Sequence, residues 1–191
     1  MARSKAFDDA TVVAAARDAF WEYGFAATSL AQLQAATGLS KSSLYETYGS
    51  KRALFDRAVH SYLDVMMSPL LEPMERDGAG GADIEAFFRA FGEYFRSSAP
   101  RVATRGCLIL NTATELPHLD EAAAEMIRDF RARVRGAFLN AARGALPAAE
   151  AQRHADLLTA WHVGLITTSR MDRDRAVELA GTIADEVRHR M

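Results

Sequence analysis

A chain of 191 residues with 49% apolar side chains can bury a sizeable core, and a charged share of 25% is ordinary for a globular protein, which excludes a disordered polyelectrolyte. The net charge of −2 excludes a uniformly basic chain, but it hides an asymmetry. Residues 1–60 carry 7 Lys+Arg against 6 Asp+Glu, and the only three lysines, Lys5, Lys41 and Lys51, all fall there. No apolar run approaches the roughly 20 residues that span a bilayer. The leading residues contain no signal-type apolar stretch, and the single cysteine, Cys107, cannot form an internal disulfide. A reducing, cytoplasmic setting is the expectation.

Helical periodicity begins early. Val12, Ala16, Ala19, Phe20 and Tyr23 make one stripe of a first helix, which Gly24 should end. Ser29 followed three residues later by Gln32 reads as a capping box for a short helix ending near Gly38. Ser40 can cap a second short helix to about Thr47, and Gly49 and Ser50 break and cap again before a long helix over residues 51–76. Residues 70–81, rich in Gly and charge, read as a linker. Ile84, Phe87, Phe88, Phe91, Tyr94 and Phe95 then mark a helix with an aromatic face. Further helices are expected over residues 104–116, 119–144, 148–171 and 173–189. No alternating β-branched run occurs. The fold class is all-α, with about nine helices.

Two short helices joined by a glycine turn and braced by longer ones make a helix-turn-helix plan. Leu33, Ala36, Leu39 and Leu44 supply the apolar seam, and small Ala35 and Ala36 would allow close approach. The second short helix has little else to bury, yet it carries Lys41, Ser42, Ser43, Tyr45, Thr47 and Tyr48. Hydroxyls and ammonium groups on an exposed helix suit phosphate oxygens and base edges in a major groove about 12 Å wide.

Residues 20–54 resemble the N-terminal DNA-binding region of the TetR/AcrR family of regulators. The resemblance rests on Gly24, on Ala27, Thr28 and Ser29, and on Ala35 and Ala36 followed by Gly38, Leu39, Ser40 and Lys41. It continues through Leu44, Tyr45, Tyr48, Gly49, Ser50 and Lys51. It implies that Ser29 meets phosphate, that Lys41, Ser42 and Ser43 open the recognition helix, and that Tyr45, Thr47, Tyr48 and Lys51 lie along the duplex. Arg3 and Lys5 could form an arm, and Glu46 departs from the commoner family pattern. Structural alternatives stand beside each role: Ser29 and Ser40 cap helices with or without DNA, Tyr45 suits a core, and Lys51 suits a solvated surface.

The resemblance further implies residues 1–50 as a DNA-binding domain and residues 51–191 as an effector-binding and dimerisation domain. The partners would be a palindromic double-stranded operator, a small-molecule effector and a second copy of the chain. Candidate pocket residues are Met66, Phe87, Phe91, Tyr94, Phe95, Asn111, Glu115, Phe130, Trp161 and Thr168, an apolar set with a few polar groups. Rows of small residues, Ala160 and Gly164 on one helix and Ala176, Ala180, Ile183 and Ala184 on the next, suit a subunit interface or an internal one. Cys107, beside Arg105 at an expected helix start, is a candidate thiol sensor or a small buried apolar residue.

Rival classes find little support. His60, His118, His154, His162 and His189 are scattered and form no three-ligand metal spacing. Phosphate-loop, nucleophile-elbow and Cys-x-x-Cys motifs are absent, so no catalytic role, metal or cofactor is expected. A helical ligand-binding module without DNA affinity is the remaining alternative.

Overall fold

A computed structural model describes residues 7–191, and within them every regular element is helical. The arm residues Arg3 and Lys5 lie outside the described residues. Helix α1 (Asp9–Tyr23) starts where the Asp8 carboxylate accepts the Thr11 N–H, and it buries Val12, Val13, Ala16, Ala19, Phe20 and Trp21. Gly24, at φ +81°, turns the chain out of it. Helices α2 (Leu30–Thr37) and α3 (Lys41–Tyr48) follow, separated by Gly38 in the left-handed region at φ +70°. Helix α4 (Lys51–Tyr62) is capped by Ser50 and sends Leu54, Phe55, Ala58 and Val59 inward. Phe55 meets Phe20 edge-on at 5.1 Å and Phe25 at 4.9 Å, locking the trihelical unit onto α4.

Beyond Tyr62 the structure departs from the expected linker. A π turn over Leu63–Met67 leads directly into α5 (Ser68–Glu75). Pro69 cannot donate to the carbonyl four residues back, and the turn before it widens instead of breaking. Leu71 and Met74 are fully buried, so apolar burial holds residues 70–75 helical despite Pro73, leaving residues 76–80 as the connection.

Helix α6 (Gly81–Ser97) carries the phenylalanine face. The helix expected over residues 104–116 forms only in part. A short α7 (Pro100–Ala103) precedes α8 (Leu108–Ala113), with an interruption at Gly106, φ +74°. A Cβ there would sit 2.9 Å from Arg170 Cδ, so the interruption also lets the Arg170 side chain approach. Helices α9 (Glu121–Arg143), α10 (Ala148–Met171) and α11 (Arg173–Arg190) follow the expected bounds closely. None of the described helices is long and apolar enough to cross a membrane.

Helix α11 lies along α6. Ala176, Ala180 and Ala184 are fully buried, and the pair is packed closely at Gly92 of α6, where a Cβ would stand 3.2 Å from that of Ala180, tighter than ordinary contact. This corrects the interface assignment of those three alanines. Their small-residue row closes an intramolecular helix pair, which the spacing alone could not distinguish from a subunit contact.

Candidate nucleic-acid interface and ligand cavity

The three N-terminal helices divide α3 into two faces. Leu44 and Tyr48 turn inward, while Lys41, Ser42, Tyr45 and Glu46 are exposed. Ser40 fixes the start of the helix: its Oγ accepts the Ser43 N–H at 3.1 Å and lies 2.9 Å from Ser42 Oγ and 3.0 Å from Ser43 Oγ. Ser43 and Thr47 are half-buried along the edge of that face. On α2, Ser29 is exposed and completes the expected capping box, accepting the Gln32 N–H while Gln32 Oε1 accepts the Ser29 N–H at 2.7 Å.

Tyr48 does not belong to the outward set. It is 7% exposed, and its hydroxyl donates to Asp9 Oδ1 at 3.0 Å, with Arg57 over its ring. Burial, reinforced by Asp9, pushes its pKa up to about 12. Lys51 is half-committed: its Nζ stands 4.7 Å above the Phe25 ring and donates to the Ala26 carbonyl at 3.4 Å, and burial lowers its pKa. Ala35 and Ala36 are exposed, so the apolar seam rests chiefly on Leu33 and Leu44.

The turn between α1 and α2 is held from the other end of the chain. Glu115, which follows α8, accepts the Phe25 N–H at 3.0 Å and the Ala26 N–H at 2.6 Å. Its Oε1 would stand 2.3 Å from any Cβ on Gly24. Glu22 of α1 pairs with Arg101 and Arg105, whose guanidiniums hold its carboxyl below the usual range. Glu115 therefore braces the helix-turn-helix and is no pocket residue, and Asn111 is likewise occupied, by the Arg105 carbonyl and Arg170.

A cavity of about 250 Å3 opens between α1, α4, the π turn, α5 and α6. Met66, Phe91, Tyr94 and Phe95 line it as expected. Trp21, Tyr62 and Ile166 join them, and these had not been foreseen because they come from elements far apart in sequence. Phe87 sits behind the wall, edge-on to Phe88, Phe91 and Phe138. Phe130 borders a separate charged cleft between α4 and α9, Trp161 an open groove between α10 and α11, and the Thr168 hydroxyl is satisfied by the Gly164 carbonyl of its own helix.

A family model described as bacterial regulatory proteins of the tetR family matches residues 12–58, the segment that forms α1 to α4. Among curated relatives, an uncharacterised HTH-type transcriptional regulator of Bacillus subtilis, YezE, is 40% identical over 124 residues, 64% of this chain and 62% of that protein. The HTH-type transcriptional repressor ComR of Escherichia coli is 28% identical over 118 residues, 60% of this chain and 53% of its own. The matches thus span less than two thirds of these relatives' length. Among solved structures, a TetR transcriptional regulator from Chloroflexus aurantiacus is 27% identical, with a TM-score of 0.75 over 92% of this chain and 90% of its own. The segment α1 to α4 matches the tetR family, and members of that family share the fold of nearly the whole chain. A further member, a cysteine-substituted CifR in complex with a 26-base-pair operator DNA, superposes with a TM-score of 0.73 at 25% identity, over 96% of this chain and 98% of that one.

One further expectation changes. Cys107 is 1% exposed, precedes a helix of only six residues, and interacts with Tyr62. Burial pushes its thiol up, and Arg105 is engaged by Glu22, so the conditions for a reactive thiolate are not met. On α10, Ala160 and Gly164 are exposed and border, with Trp161, Leu179 and Ile183, a groove of about 410 Å3. Leu157 and Met171 are exposed on the same helix at 49% and 77%.

Proposed function

We propose that this chain is a sequence-specific transcriptional repressor of the TetR family, cytoplasmic and homodimeric, that leaves its operator when a small molecule occupies the α4–α6 cavity. The observation that carries the reading is the division of α3. Its inward residues anchor it, and its outward residues, Lys41, Ser42 and Tyr45, are exposed donors. Ser29, Ser43, Thr47 and Lys51 flank them and add phosphate contacts, the Lys51 ammonium by leaving the Ala26 carbonyl. Tyr48 supports α3 from within.

Residues up to about 50 take the DNA-reading role and the remainder the ligand and dimer roles. The α10–α11 groove, with Ala160, Gly164 and Ile183, supports a second copy there, which would set two α3 helices on half-sites about one helical turn apart in a palindromic operator. Helix α4 and Trp21 belong both to the cavity wall and to the trihelical unit, so a ligand that alters one changes the setting of the other. Effector and DNA affinities are then reciprocally coupled.

The test is fluorescence anisotropy with duplexes from the flanks of the chain's own gene, at several salt concentrations. Binding should weaken steeply with salt, and Lys41→Ala should weaken it further while reducing the salt slope by about 1. Absence of binding to every such duplex at low ionic strength would leave a helical ligand-binding module instead.

A further inference from the structure

The cavity between α4 and α6 has a chemistry more specific than its shape. Among the described residues no Asp, Glu, Lys, Arg or His lines it, and its two tyrosines are the only ionisable groups on its wall. Burial raises both phenols, so they stay protonated and neutral at physiological pH. The polar groups on its wall differ in how they are used. The Tyr62 hydroxyl interacts with Cys107 and the Leu108 backbone, and Trp21 Nε1 donates to the Gly106 carbonyl at 3.1 Å. Tyr94 is the exception. Its hydroxyl is shielded from solvent and has no hydrogen-bond partner among the described residues. Polar side chains nearby, Ser98 among them, fall outside hydrogen-bonding geometry with it. Buried hydroxyls in native proteins are almost always paired, so this donor is built for something the chain itself does not supply.

We infer that the cavity takes an uncharged aromatic molecule of one or two rings bearing one hydrogen-bond acceptor, and that Tyr94 donates to that acceptor while Trp21, Phe91 and Phe95 enclose the rings. Charge is disfavoured because no charged side chain lines the wall, and the nearest cation, Arg105 beside Trp21, is already paired with Glu22. Size follows from volume. An apolar cavity of about 150 Å3 holds one benzene, and this one holds about 250 Å3, below the roughly 300–1,000 Å3 of drug-sized sites. The inference rests on the effector reading for its biological meaning, though its test is direct binding without DNA.

Calorimetric titration of the full chain with acetophenone, ethylbenzene and benzoate separates the contributions. Acetophenone should bind most tightly, ethylbenzene more weakly and benzoate not at all. Tyr94→Phe should weaken acetophenone about 3–10-fold, the loss expected for one neutral hydrogen bond, and leave ethylbenzene unchanged. Ala90→Leu, which fills the cavity from α6, should abolish both and checks the site independently of the hydroxyl. Benzoate binding as well as acetophenone, an unchanged acetophenone affinity in Tyr94→Phe, or no binding of any probe at millimolar concentration would overturn the inference. Acetophenone that binds without altering duplex affinity would support the ligand class and contradict the effector reading. Release of the duplex by a charged compound that competes for the cavity would do the reverse.

Discussion

Tyr48 shows how a single residue can carry the right chemistry at the right spacing and still face the wrong way. Its hydroxyl is committed to Asp9 and its ring is covered by Arg57, so Tyr48→Phe should cost about 1 kcal/mol of stability, read from urea unfolding, and leave duplex affinity unchanged. A drop in affinity with unaltered stability would restore it to the interface. Gly24 makes the opposite case. At φ +81°, with the Glu115 carboxylate where a side chain would go, Gly24→Ala should destabilise by about 2 kcal/mol or more. His162 is buried between Phe87 and Phe91 with Nε2 unpartnered, and burial lowers its pKa from 6.5 to about 4. The folded state thus favours neutral imidazole. Its contribution is intact above pH 6.5 and is lost as the unfolded chain takes up a proton between pH 6.5 and about 4, an effect of about 3 kcal/mol. Unfolding free energies at pH 7 and pH 4.5 should show this loss in the wild type and much less of it in His162→Leu.

At the scale of elements, the sequence was most informative where local chemistry alone dictates structure. Ser29 with Gln32, Ser40, Ser50 and the glycines at 24, 38 and 49 mark the breaks between α1, α2, α3 and α4 through caps and turns written in the local sequence. It was least informative where burial overrides composition. Residues 70–75 look like a linker, yet Leu71 and Met74 hold them helical from the core side. The alanine row of α11 is ambiguous by nature, since small residues permit close approach to any helix, whether of the same chain or of another. Its observed partner is α6, so Ala180→Leu should lower stability by about 1–3 kcal/mol through overpacking, measured as a reduced midpoint of unfolding at any protein concentration. A loss confined to dimer dissociation would instead place that row at a subunit contact.

At the scale of the whole molecule, the ligand cavity was only half legible for a related reason. The aromatic face of α6 announced Phe91, Tyr94 and Phe95, but Trp21, Tyr62 and Ile166 reach the same space from α1, α4 and α10. Glu115 carried the wrong expectation because its role, bracing the α1–α2 turn from 89 and 90 residues away, is invisible until the chain is folded. That brace and the shared wall of α1 and α4 physically join the cavity to the trihelical unit. The central claim nonetheless concerns the outward face of α3. Its most direct test is the affinity of the double variant Lys41→Ala/Tyr45→Ala for a duplex that the wild type binds, with unfolding monitored in parallel. The claim predicts at least about a tenfold loss of affinity with the fold retained, since both side chains are exposed. A double variant that binds the duplex as the wild type does would contradict it.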